Sequence, residues 1–129
     1  MLQVLQAYYG VENEDLWRLA TGVGAGISRQ GLVCGALTGG ALACGLIIGR
    51  QRYPNRDERT ALRDETYAKV QELTRRFQER FGTVQCRTMI GCDLSTAEGR
   101  QAFQDTHQME LTCRPAVRLV LETLLHLLT

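Results

Sequence analysis

Apolar residues recur along this chain at intervals of three and four, and strand-like alternation is scarce, so the pattern predicts helices. A first helix runs from about Met1 to Tyr9 and stops at Gly10. Asn13 is placed to cap a second, which carries Leu16, Trp17 and Leu19 and breaks up at Gly22, Gly24 and Gly26. From Gly31 to Gly49 nineteen residues pass without a charge, six of them glycine. That length approaches a membrane span. Bulky side chains are few, however, and the flanks read as amphipathic soluble helices, so the segment predicts a helix buried all round, with small residues letting its neighbours come close. A membrane span is not expected.

A polar linker, RQRYPNRDER with Pro54, leads into a long helix from about Asp57 to Phe81. Its apolar stripe is Leu62, Thr66, Val70, Leu73, Phe77 and Phe81, and Gly82 supplies the stop. VQCRTMIGC reads as a short helix or turn closed by Gly91. Ser95 and Glu98 stand at capping-box spacing for a helix reaching about Met109, weakened at Gly99. The last helix opens at Cys113, Arg114 and Pro115 and continues through AVRLVLETLLHLL, a core or partner-facing run. No repeat or low-complexity stretch interrupts this order. The expected fold is all-α: a single compact bundle of five to six helices around a buried glycine-rich central helix, one domain over residues 1–129.

A chain of 129 residues can bury a core without disulfides or a metal, so stability does not by itself explain its five cysteines. Fifteen basic and fourteen acidic residues leave a net charge of +1. No field draws in a polyanion, and nucleic acid is not an expected partner. MLQVLQAYYG lacks the basic start, apolar core and cleavage site of a secretory signal, which predicts a cytoplasmic, reducing setting with free or ligating thiols.

The cysteines stand at 34, 44, 86, 92 and 113, with no CxxC pair. A thiol reacts as its thiolate, which a helix N-terminus or a neighbouring cation stabilises. Cys34 lies in the first turns of the glycine-rich helix, five residues after Arg29. Cys86 precedes Arg87, and Cys113 precedes Arg114 at a helix start. Cys44 lies about 80° around the helix from Cys34 and is expected as a packing residue. Cys92 follows Cys86 by six positions and could pair with it or share ligation if the turn folds back. Buried cysteine is also commonly an inert small hydrophobe.

The stretch GVGAGISRQGLVCGALTGG, then FGTVQCRTMIGCDL, then Cys113 with Val117 shortly after, resembles the C-GCAxxG-C-C family, named as redox-active proteins. The CGAxxG signature of that family reads here as Cys34, Gly35, Ala36, Leu37, Thr38 and Gly39, and the resemblance extends from about Val4 to Val120. It implies that Cys34, Cys86 and Cys113 carry the shared thiols, with Cys44 and Cys92 extra. Members carry a further cysteine shortly before a Val-Leu pair like Val4 and Leu5, which here follows only Met-Leu-Gln. The fourth thiol is thus a preceding residue, a lost one, or one replaced in space by Cys92 or Cys44. Related sequences occurring within multihaem and iron-sulfur proteins imply a cysteine-bound cluster as an alternative.

Other chemistry finds little support. The glycines of TGVGAGIS lack the third spacing of a dinucleotide loop, since Ile27 takes that place and no strand precedes it. His107 is expected as a solvated helix-face residue and His126 as a packing or C-terminal residue, and no hydrolytic constellation is readable. The expected function is redox chemistry at the thiols Cys34, Cys86 and Cys113, as in a thiol-dependent oxidoreductase serving an unidentified redox partner protein. The alternative is a metal or cluster site, for zinc, iron or an iron-sulfur cluster, on Cys34, Cys86, Cys113 and Cys92. A non-catalytic helical interaction module, and assembly of copies through the C-terminal leucines, stay open.

Overall fold

The computed structural model describes residues 2–11, 13–50 and 55–129. Gln51–Pro54, within the expected linker, lie outside the described residues, as do Met1 and Glu12. Of the described residues 78% are helical, which establishes the all-α class. Seven right-handed α-helices stand among the described residues: α1 Leu2–Tyr9, α2 Glu14–Ala20, α3 Gly35–Ile48, α4 Arg56–Phe81, α5 Cys86–Ile90, α6 Ala97–Asp105 and α7 Arg114–Leu127. The count exceeds the five to six expected because Cys86–Ile90, left between helix and turn by the pattern, closes into a helix stopped by Gly91 at φ +70°.

The core forms where α3, α4 and α7 pack on one another, with α1 laid against α3. Leu73 and Phe77 of α4, one turn apart, meet Val120 and Leu124 of α7, and all four are fully buried. Between them lies Gly40 of α3, where an added Cβ would stand 2.5 Å from Val120 Cγ1 and 3.1 Å from Leu73 Cδ2. The absent side chain sets the three-helix spacing. Burial of α3 is one-sided rather than all round, since Leu42 is 45% exposed while Leu37, Ala43 and Cys44 are buried. The helix also begins four residues later than the uncharged run, because Gly31 turns at φ +71° and Leu32–Cys34 are drawn out against another segment.

Helix ends follow their local chemistry. Asn13 caps α2 through Asp15 N–H, and Asn55 caps α4 through Glu58 N–H. The expected Ser95 cap gives way to Thr96, whose Oγ1 accepts from Gly99 N–H at 2.9 Å. Ser95 is held instead by Asp93, whose Oδ1 accepts from its N–H and hydroxyl. Gly99 is no mere weakness, because a Cβ there would collide with the Asp93 carbonyl. Past α6 the chain turns at His107 and enters a π turn, Met109–Cys113, that runs directly into α7.

Candidate functional site

The extended Leu32–Cys34 segment, entered through Gly31 at φ +71°, pairs with the residues entering α5. Cys34 N–H donates to Val84 O at 2.8 Å and Cys86 N–H to Leu32 O at 2.6 Å, on either side of an antiparallel bridge between Val33 and Gln85. Arg87 N–H adds a bond to Gly31 O at 3.1 Å. Alternate residues of an extended pair share a face, so Cys34 and Cys86, each one step from the bridge, belong to the same side. The chain leaves this clip into two helices. Cys34 is the N-cap of α3 rather than part of its first turns, and Cys86 is the first residue of α5. No side chain caps α3, so its first amides are left open beside Cys34.

Behind the clip runs an unusual segment. Ala25, Gly26, Ile27, Ser28 and Arg29 all have φ between +52° and +69°, a left-handed helical turn. Each non-glycine residue there costs roughly 1–2 kcal/mol. Ser28 N–H to Gly24 O at 2.8 Å, Ser28 Oγ to Gly22 O at 2.8 Å and Leu32 N–H to Gly26 O at 3.0 Å hold it. Gly26 lies so close that a Cβ would sit 2.8 Å from Cys86 Cβ. The glycines that suggested a failed phosphate loop thus form the wall behind a thiol.

Cys34, Cys86 and Cys113 all line one cavity of about 440 Å³. Cys113 reaches it from the π turn, inside a helical run in which Arg114 N–H donates to Met109 O. The expected free helix start at Cys113 is therefore absent, and the thiol gains no terminal dipole. Cys92 lies near enough that its negative charge would act on both Cys86 and Cys113. Cys44 is fully buried in the hydrophobic core, as a packing residue. All five cysteines are free thiols.

Burial governs the electrostatics. It pushes the Cys86 thiol up, and the charges of Cys34 and Cys92 raise it further. Cys113 is pushed up to about 11, by burial first and then by Cys34, Cys86, Cys92 and Glu110. Burial and then Asp93 raise Cys92. The cations adjacent in sequence do not offset this. The Arg87 guanidinium turns to Asp93 Oδ1 at 3.1 Å and Gln30 O at 3.4 Å, and Arg114 stands 3.9 Å from Glu110. Sequence reasoning missed Arg100 and Phe103, which share a face of α6 and line the cavity. Their helix carries no cysteine, so nothing along the chain ties them to the thiols.

A metal or cluster would need several of these groups to converge. Among the described residues no three His, Cys, Asp or Glu side chains do so, and a four-thiolate shell does not assemble from Cys34, Cys86, Cys92 and Cys113 in this geometry. His107 and His126 are both exposed.

Comparison with curated proteins and with solved structures gives no match. A family model does match, over residues 1–127, under the description "Putative redox-active protein (C_GCAxxG_C_C)". That label sets its central cysteine directly before the alanine, whereas here Gly35 stands between Cys34 and Ala36. The match spans nearly the whole chain and the structure gathers Cys34, Cys86 and Cys113 around one cavity, so this protein belongs to the C_GCAxxG_C_C family of redox-active proteins.

Proposed function

We propose that the protein is a thiol–disulfide oxidoreductase in which Cys34 attacks and Cys86 resolves. The observation that carries this reading is the backbone clip, which sets both cysteines on one side of a bridged pair facing a shared cavity. Cys34 is the less buried of the two and adjoins the open amides of α3, where a sulfur anion finds favourable partial charge. Cys86, raised by burial, waits as a protonated thiol.

The Cys34 thiolate attacks one sulfur of a substrate disulfide, forming a mixed disulfide and releasing the other half as a thiolate. That thiolate takes the Cys86 proton. The Cys86 thiolate then attacks Cys34 Sγ, forming the Cys34–Cys86 disulfide, and the second half leaves as a thiolate and takes the proton originally released by Cys34. Two electrons and two protons pass to the substrate. A dithiol reductant restores both cysteines and is itself oxidised to a disulfide. Cys113 faces the same cavity as a third, protonated thiol.

Titrating the dilute, reduced protein with diamide and mapping the product by peptide mass tests this. The expected product is a monomer lighter by two hydrogens, linked Cys34 to Cys86, formed also by Cys113→Ser and not by Cys34→Ser. A different linkage, or no internal linkage, would overturn the assignment.

A further inference from the structure

The cavity also carries information about what the thiols act on. Its volume, about 440 Å³, lies in the range of small-molecule sites, roughly 300–1,000 Å³. The walls are apolar, from Ile90, Leu94, Phe103, Met109 and Val117, and the exposed Gln104 and Met109 mark the mouth. Two arginines, Arg29 and Arg100, are among its lining residues, and no carboxylate residue is. Among the described residues neither arginine forms an ion pair. Arg100 uses Nη1 to bond Leu94 O at 3.0 Å, which fixes it to the wall with most of its donors unspent. Arg29 closes the left-handed turn at φ +69°. Glu110, whose charge reaches Cys113, lies outside the lining and faces Arg114 at 3.9 Å, so an apolar chamber lined by thiols and two arginines is complementary to a ligand with an apolar body and a negative end.

We infer that the cavity binds a low-molecular-weight disulfide bearing a carboxylate, with the apolar body against Phe103 and Ile90 and the carboxylate toward Arg29 and Arg100. This rests on the thiol–disulfide reading above and names its substrate class. Cys34 opens the bound disulfide and Cys86 closes on Cys34, so one substrate disulfide yields two thiols and the protein gains one disulfide.

The test uses the full, reduced chain and three reagents: the anionic aromatic 5,5′-dithiobis(2-nitrobenzoate), the neutral aromatic 4,4′-dithiodipyridine and the cationic aliphatic cystamine. Each rate of Cys34 modification is divided by the rate of the same reagent with the urea-unfolded chain, which removes intrinsic reactivity. The expected order is anionic aromatic, neutral aromatic, cationic, with the anionic preference shrinking as salt rises. Arg100→Gln and Arg29→Gln should each slow the anionic reagent about tenfold, the equivalent of ~1.4 kcal/mol, and should not slow cystamine, whose repulsion they relieve. Arg100→Lys should restore part of the loss, and Arg59→Gln, on α4 away from the cavity, should change nothing. Phe103→Ala should slow both aromatic reagents and spare cystamine. Equal normalised rates for the three reagents, or arginine variants that slow all three alike, would overturn the substrate class while leaving the thiol reading intact. Native thiols inert to every reagent would overturn both.

Discussion

At the scale of single residues, what surrounds a thiol in space decides its chemistry, and its sequence neighbours do not. Cys86 and Cys113 each precede an arginine, yet Arg87 turns to Asp93 and Arg114 toward Glu110, and burial raises both thiols. Cys113 moves from an ordinary 9.0 to about 11. Its thiol should therefore resist iodoacetamide in the native protein at pH 8 and become reactive only as the pH approaches 11, whereas unfolded chain reacts at pH 8. Mass mapping after a timed pulse checks this, and fast native labelling of Cys113 at pH 8 would refute it. The same shift couples to stability. Between about pH 9 and 11 the unfolded chain has released this proton and the folded one has kept it, so stability falls as pH rises through that window and is unaffected by this group below it. Urea midpoints across the window should fall less steeply for Cys113→Ser than for the parent.

At the scale of elements, glycine has two opposite meanings on one helix. Gly40 of α3 sits where α4 and α7 close on it, whereas a Cβ on Gly45 would meet nothing within 4 Å. Gly40→Ala should destabilise by about 1–3 kcal/mol, because Val120 and Leu73 are fully buried and have nowhere to move. Gly45→Ala should stabilise by up to about 1 kcal/mol through helix propensity alone. Equilibrium urea unfolding distinguishes them, and equal effects of the same sign would show that α3 does not pack this way. The long stripe of α4 and the cap Asn13 were legible because they depend on residues within one or two turns. The Ser95 cap and the π turn ahead of α7 were not, whereas α7 opens at Arg114 and Pro115 where the sequence placed it. Asp93 competes for Ser95 through an Asx turn, and the π turn joins Cys113 to α7 from the preceding side.

At the scale of the whole molecule, α1, α3, α4 and α7 contribute to one hydrophobic core, and Trp17 of α2 is tied to α1 by its Nε1–H, which donates to the buried Gln6 Oε1 at 3.0 Å. Unfolding should accordingly be one cooperative transition, with Trp17 fluorescence and far-ultraviolet circular dichroism changing together. Phe77, fully buried and 4.8 Å from the Phe81 ring, anchors that core. Phe77→Ala should lower stability by about 3–5 kcal/mol while keeping the two probes coincident. Two separated transitions would mean more than one folding unit. No helix among the described residues is long and apolar enough to cross a membrane, since the uncharged run is divided between the clip and the 14-residue α3.

The sequence by itself determined the helical class, the stripe of α4, most of the turns and, through its motif, membership of a redox-active family, because periodicity, capping and motif are properties of neighbours along the chain. Tertiary structure alone decided that Leu32–Cys34 is drawn out against the entry to α5, that a left-handed turn backs Cys86, and that Arg100 and Phe103 of a cysteine-free helix line the same cavity as the thiols. These depend on contacts between residues dozens of positions apart, whose closure rests on the packing of α3, α4 and α7 and leaves no periodic trace.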